Sequence, residues 1–448
     1  MRFARWSPVP VAAFICAAFI WAAPVVAEDG WESCADSSSR DSYACREVIV
    51  EYKSANFDKA ALAQKYGLTI EGDIPQLRQV WYMAAPSVDV GWLIDHLEGE
   101  SGVSEAERNG EFVSPECRQW AVGVLEFGPG LPLEFHSQRA IDTVHAGNAH
   151  GPGQPVIVAI LDTGVSRMQT ELNGHLTANG IDAIGKGADL LADDIGNGID
   201  DNHNGLVDEG WGHGTAAAGV VALLAPEARI LPVRVLNDEC QGTAFGFATG
   251  IVKAVDAGAR VLHLGFGSRD PSYAISRALE YAVSHSVVVV APVGNDAADL
   301  VQFPASAGGV LAVAAVDDLL VAPAWTNHSV NVTLSAPGVD VLVPYHSGGW
   351  TRMSGTSVAT AFVSGAAAAA LGASPKAAPA AVRALLRDTA TPVDAFNPGL
   401  AGQLGDGAPD FRSVRGWVPV GNPGGGDQGG EPEDSPSDTF HGGDGQDR

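Results

Sequence analysis

Between residues 156 and 316, short apolar runs alternate with helix-patterned stretches, and this alternation constrains the fold more than any other feature. The runs 156–161, 230–236, 260–264, 287–290 and 309–316 are almost unbroken by polar residues and rich in Val, Ile, Leu and Ala. A strand with one wet face alternates polar and apolar residues; strands without that alternation are covered on both faces. The intervening stretches 214–224, 244–257 and 272–284 carry helical patterns. The expected class is therefore α/β, a doubly wound, mostly parallel sheet with helices on both faces. In such sheets, sites gather beyond the carboxyl ends of the strands.

Three small motifs fall at such positions. Asp162 ends the first apolar run in VIVAILDTGV, His213 opens an Ala-rich helix in GWGHGTAAAGV, and Ser357 opens a longer one in MSGTSVAT. A serine hydroxyl is a weak nucleophile until a base takes its proton, and an imidazole needs a carboxylate to fix its tautomer. At a helix start, free N–H groups and the positive end of the dipole can stabilise an oxyanion. Asn295, following VVVVAPVGN, adds an amide donor at another strand end. Singly, each motif is equally a helix cap, a surface histidine or a turn asparagine; their coincidence in one α/β unit points to acyl transfer. The order acid, base, nucleophile excludes the esterase elbow, which needs acid and histidine after the serine; here only His441 follows Ser357. An essential neutral His213 predicts activity rising through about pH 6–7.

The remaining chain divides by composition. Residues 1–27 read as a signal peptide: Arg2 and Arg5 precede an apolar core at 9–23, and Val25-Val26-Ala27 offers small residues before Glu28. Residues 28–113 follow a β-α-β-β-α-β pattern, a small α+β ferredoxin-like module. Residues 114–154 form a proline-punctuated linker and entrance, 155–417 the α/β domain, and 418–448 a Gly/Pro/Asp-rich acidic tail without a core pattern. The net charge of −27 opposes nucleic-acid binding. After removal of the leader with Cys16, four cysteines remain, Cys34, Cys45, Cys117 and Cys240. An exported chain with an even count implies disulfides; three pairings are possible, and chain proximity favours 34–45 and 117–240. The mature protein is expected to be secreted (periplasmic in a double-membrane bacterium), monomeric and free of a membrane anchor.

Residues from about 120 to 400 resemble the catalytic domain of the subtilisin-like serine proteases. VAILDTGV, GHGTAAAG, PVRVL, VVVVAPVGN, LSAPG and SGTSVAT carry that resemblance in the family's order. It implies an endopeptidase with no catalytic cofactor, with Asp162, His213 and Ser357 as triad and Asn295 at the oxyanion. It also implies that the 28–113 module is similar to an inhibitory, autocatalytically removed propeptide, the chain's own partner beside its protein or peptide substrates. Leu264, Gly265, Phe266 and Gly267, with Pro292, Val293 and Gly294, would flank the pocket for the side chain before the scissile bond, with Gln302 intruding on its floor. Cys240 and Gly242 would lie on the opposite edge. Ala216, Ala361-Phe362 and Gly265-Phe266-Gly267 depart from the usual family residues and bear on substrate preference. They also leave open a protease-like binding protein that no longer cleaves.

Between Asp162 and His213, Asp200, Asn202, Asn204 and Asp208 fit the front of an oxygen-ligand loop around Gly205, so structural Ca2+ is expected. The terminal Glu of that pattern is missing, Trp211 standing in its place. Asn327 and Asn331 begin N-glycosylation sequons. His145 and His150 have no zinc pattern around them and read as surface residues.

Overall fold

The computed structural model describes residues 33–35, 42–117, 132–147, 153–184 and 191–417, with side chains from residue 46 onward. The proposed signal peptide, the acidic tail, and residues 118–131 and 148–152 of the entrance, His150 among them, lie outside the described residues, as do the side chains of Cys34 and Cys45.

The N-terminal module runs β1 (Ser42–Tyr52), α1 (Lys59–Tyr66), β2 (Thr69–Ile74), β3 (Gln79–Met83), α2 (Val90–Glu98) and β4 (Val103–Val113). The sheet order β2-β3-β1-β4 is antiparallel throughout, with Ser33–Ala35 pairing β1. Asp58 and Asp89 cap the two helices by accepting from Ala61 N and Trp92 N. One face buries Val48, Val50, Tyr82, Leu93 and Leu97 in a core of its own. The other turns Ile49, Ile74, Leu77 and Phe112 into the core of the larger domain. β4 is one continuous strand, Val103–Val113, whose end extends past its own module to pair with the larger domain.

The larger domain holds a seven-stranded sheet. In chain order its elements include β5 (Ile157–Asp162), α3 (His213–Leu224), β6 (Arg229–Arg234), β7 (Gln241–Thr243) and α4 (Ala244–Asp256). β8 (Val261–Leu264), α5 (Tyr273–Ser284), β9 (Val288–Pro292), β10 (Val310–Val316), β11 (Leu334–Pro337) and α6 (Thr356–Ala373) follow. Across the sheet the order is β11-β10-β9-β8-β5-β6 and then Ile181–Asp182, all parallel. Successive residues of β5 explain the missing polar alternation: Val158 and Ile160 belong to the core under α3 and α6, Ala159 and Leu161 to the core under α4 and α5. Helix α6 has the length and composition of a membrane span, yet 89% of its apolar window is buried inside the domain. It is the central core helix, and its first turn opens at the carboxyl ends of the strands.

Candidate active site

Asp162 ends β5, fully buried, and His213 begins α3 with 4% of its surface exposed. Asp162 Oδ1 lies 2.7 Å from His213 Nδ1 and also accepts from Thr163 N. Gly214 permits this approach, since a Cβ there would sit 2.1 Å from Gly164 O and 3.0 Å from Asp162 Cβ. Ser357 lies in the first turn of α6, its backbone N–H still free of intrahelical partners. Asn295 follows β9 at a turn held by Asn327. The Asn327 Oδ1 accepts from Asp296 N and Ala298 N, and its Nδ2 donates to Val293 O. Asn327 is fully buried, so that sequon is part of the fold and is closed to a glycan; Asn331 is exposed. The Asn295 Oδ1 accepts from Thr356 N and Thr356 Oγ1, which fixes its amide nitrogen toward Ser357.

All of these groups converge on Glu116, in a short 3-10 turn (Pro115–Cys117) just after β4. Its Oε1 accepts from Ser357 N at 3.0 Å and Asn295 Nδ2 at 3.2 Å. Its Oε2 accepts from Ser357 Oγ at 2.6 Å and Ser114 Oγ at 2.7 Å, and lies 3.3 Å from His213 Nε2. Burial favours a neutral carboxyl, but the hydrogen bond and charge of His213 and the Ser357 donors outweigh it and hold Glu116 at about 2. Burial likewise favours neutral His213, yet the carboxylates of Asp162 and Glu116 on its two nitrogens raise it well above its ordinary value. Both shifts favour the charged forms, an imidazolium flanked by two carboxylates. Nothing in the sequence around Glu116 marks it, and this is the site residue that sequence reasoning missed.

The strand leading to Glu116 lies in the cleft as a bound peptide would. β4 pairs antiparallel with β7, Phe112 opposite Gly242 and Val113 opposite Gln241. On its other edge Val113 O accepts from Gly267 N at 3.1 Å. The Phe112 ring sits 5.7 Å from Phe247 and 6.2 Å from both Phe266 and Phe303, in edge and tilted contacts. Gly265 packs its Cα against Asp162, where a Cβ would meet Oδ2. Leu264, Phe266, Pro292 and Val293 are buried in the walls. Gln302, 1% exposed, fills the space between Gly267 and Gly294, its Nε2 donating to Asp296 Oδ2 and its Oε1 without a partner. The room left by these glycines is thus taken by an amide, not by an open apolar pocket.

Two more buried groups adjoin the site. Asp194 accepts from Thr215 Oγ1 at 2.6 Å and is pushed up to about 7 by burial. His263 on β8 is lowered to about 4 by burial and stays neutral. Cys117 is bonded to Cys240, at the start of the β7 edge.

The acidic loop arranges its oxygens differently from the expected set. Asp200 accepts from Asn204 N and Gly205 N, while Asn202 and Asn204 both donate to Glu209 Oε1. Asp208 turns away to accept from Asn197 N and Gly198 N. Glu209 adjoins Glu239, which burial and the neighbouring Glu209 raise to about 9. Among the described residues no three His, Cys, Asp or Glu side chains form a metal-binding group. His145 Nδ1 lies 3.6 Å from Asp410 Oδ1; the histidine is half-buried and Asp410 is buried, so His145 is less exposed than the surface residue expected.

Residues 153–412 match the subtilase family model, and residues 32–109 match the fervidolysin N-terminal prodomain model. The chain belongs to the subtilase family. Subtilases are serine endopeptidases, and this one carries a propeptide domain. Among relatives, the chain is 30% identical to fervidolysin of Fervidobacterium pennivorans over 59% of its own length, and spans 41% of that protein. It is 31% identical to subtilisin BL of Lederbergia lenta, over 57% of this chain and 92% of that one. M-protease of Shouchella clausii is 31% identical over 77% of this chain and 82% of its own. The crystal structure of fervidolysin, a keratinolytic enzyme related to subtilisin, superposes with a TM-score of 0.69 at 21% identity. That match covers 88% of this chain and 64% of fervidolysin and speaks to the fold.

Proposed function

We propose that this subtilase is an exported endopeptidase made as a zymogen that matures itself. In the freed enzyme the Ser357 Oγ attacks a peptide carbonyl and its proton passes to His213 Nε2, while Asp162 holds Nδ1 and stabilises the imidazolium. The carbonyl oxygen becomes an oxyanion between Ser357 N–H and Asn295 Nδ2. Collapse expels the amine, which takes its proton from His213, and water then releases the acyl group by the same steps. The observation that carries this reading is the convergence of Ser357 N–H and Asn295 Nδ2 on one oxygen, Glu116 Oε1. An exported location is supported by the leader pattern, and protein substrates by a cleft that already holds β4 as an added strand.

Peptides entering the cleft are proposed to pair between β7 and 265–267, with a large aromatic or aliphatic side chain where Phe112 sits. Gln302 at the pocket floor favours a short or polar side chain next to the scissile bond, in place of the large apolar one that the glycines alone suggest. Asp200, Asn202, Asn204 and Asp208 are proposed to turn oxygens toward a structural Ca2+, which requires the two asparagine amides, now donating through Nδ2 to Glu209, to be released from it.

The test is the intact mass of the secreted protein, wild type beside Ser357→Ala. Loss of the N-terminal module from the wild type alone is the expected result. Retention in both would favour a binding protein over an enzyme.

A further inference from the structure

We propose that Glu116 is the specific inhibitory residue of the precursor, a side-chain carboxylate seated as a product acid would be, and that the Cys117–Cys240 disulfide pins it there. This rests on the serine-protease reading of the site and adds to it how the site is silenced. Three catalytic functions are blocked by one group. The oxyanion donors Ser357 N–H and Asn295 Nδ2 are both spent on Oε1. The Ser357 hydroxyl has a single proton, and it donates that proton to Oε2 rather than to His213. The His213 Nε2 lies 3.1 Å from Ser114 Oγ, which itself donates to Oε2, and 3.3 Å from that carboxylate oxygen, so it is held as a donor and not as a base.

The backbone explains why the group is not itself cleaved. β4 follows a substrate-like path as far as Val113, and Ser114 N still donates to Cys240 O. Pro115 then starts a tight turn closed by Cys117 N donating to Ser114 O, which takes the main chain off that path. A side chain enters the hole where a peptide carbonyl belongs. An ionised carboxylate is a poor electrophile, so Ser357 has no acyl carbon to attack. Gly355 makes the fit possible, since any Cβ there would overlap Glu116 Oε1.

The disulfide supplies persistence. Cys117 is adjacent to Glu116, and Cys240 begins the β7 edge that forms the cleft. A ligand tethered one residue from its site has a high effective concentration, so it rebinds each time the strand lifts. Cutting the bond leaves Glu116 held only by β4 pairing and its own hydrogen bonds.

The experiment uses the full-length precursor as wild type, Glu116→Ala, Glu116→Gln and the pair Cys117→Ser with Cys240→Ser. Each is exposed to a fluorophosphonate probe, with and without a thiol reductant, and the labelling rate of intact precursor is read by gel. Glu116→Ala is expected to label at least about tenfold faster than wild type, the scale of one lost charge-assisted contact. Reductant should accelerate the wild type and leave the double serine variant, already fast, unchanged. Equal rates for Glu116→Ala and wild type would overturn the inhibitory role. A wild type indifferent to reductant would overturn the disulfide's part in it. A second readout does not need turnover: in Ser357→Ala precursor, Glu116→Gln should lower the His213 titration midpoint, followed by NMR, by a unit or more, and no shift would overturn the contact. If the matured wild type also fails to label while that shift is seen, the protease reading fails and the Glu116 contact stands; if both fail, both fall.

Discussion

Two carboxylates, one in the N-terminal module and one in the turn that follows it, meet helix N-termini of the larger domain, and they are used in opposite ways. Glu107 accepts from Tyr273 N, Ala274 N and Ser272 Oγ at the start of α5. Glu116 accepts from Ser357 N and Ser357 Oγ at the start of α6. Both exploit the free N–H groups and positive dipole of a helix start. At α5 the outcome is docking; at α6 it is silence. The difference lies in the third neighbour. Glu107 has only neutral donors around it, and burial raises its pKa in spite of them. Glu116 has His213, and falls to about 2. A helix N-terminus binds an anion, and the imidazolium beside it decides how tightly the charge is kept.

The largest effect is expected where that imidazolium is made. Asp162→Asn removes the carboxylate on Nδ1, and the matured enzyme should lose roughly 10⁴-fold in kcat, as expected when the imidazole loses its orienting acid. In the precursor the same change should lower the His213 titration midpoint and narrow the gap between Glu116 and Glu107. A kcat within tenfold of wild type would remove Asp162 from the site. The sign for precursor stability follows from the two shifts. His213, raised, contributes fully below its unfolded value near 6.5 and loses that contribution as pH rises through its folded value; Glu116, depressed, contributes above about 4.5 and loses it as pH falls toward about 2.

A second buried carboxylate of the module sharpens the contrast at neutral pH. Glu47, 1% exposed, accepts from Asn109 Nδ2, and Asn109 Oδ1 accepts from Phe245 N at the start of α4. Burial, only partly offset by Asn109, raises Glu47 to about 7. A raised carboxyl favours the folded form below its unfolded value near 4.5 and disfavours it increasingly up to about 7. Glu47→Gln should therefore stabilise the Ser357→Ala precursor above pH 7, by at most about 3 kcal/mol at 1.36 per unit. Urea unfolding at pH 5 and pH 8 reads it; equal changes at both pH values would reject the assignment.

Much of this was legible in the sequence, and the rest was hidden for physical reasons. The apolar runs at 156–161 and 287–290 declared a doubly covered sheet, and Asp162, His213 and Ser357 were visible because each sits at a strand or helix end. Spacing cannot show which segment fills the cleft. Residues 114–117 look like the start of a linker, yet they carry the group that occupies the site, because their position is set by β4 pairing with β7 some 130 residues away. Asn327 illustrates the reverse error. Its sequon pattern is local, whereas its burial under the Asn295 turn is tertiary. The calcium expectation is local in the same way: the loop pattern groups Asp208, eight residues past Asp200, with the two asparagines, whereas the turn at 196–198 occupies its carboxylate through Asn197 N and Gly198 N.

The smallest effect is expected at the docking end. Glu107→Gln keeps one acceptor oxygen but removes the charge that helps it serve Ser272, Tyr273 and Ala274 together. Charge-assisted bonds are roughly twice as strong as neutral ones, so the Ser357→Ala precursor should lose about 1 kcal/mol in urea unfolding. The loss should be least at low pH, because burial raises Glu107 and a protonated carboxyl resembles the amide. Probe labelling of the otherwise wild-type precursor should hardly change, since Glu116 still holds the cleft. A Glu107→Gln precursor that labels as fast as Glu116→Ala would erase the distinction between the two helix starts, and inhibition would then belong to docking as a whole rather than to one carboxylate.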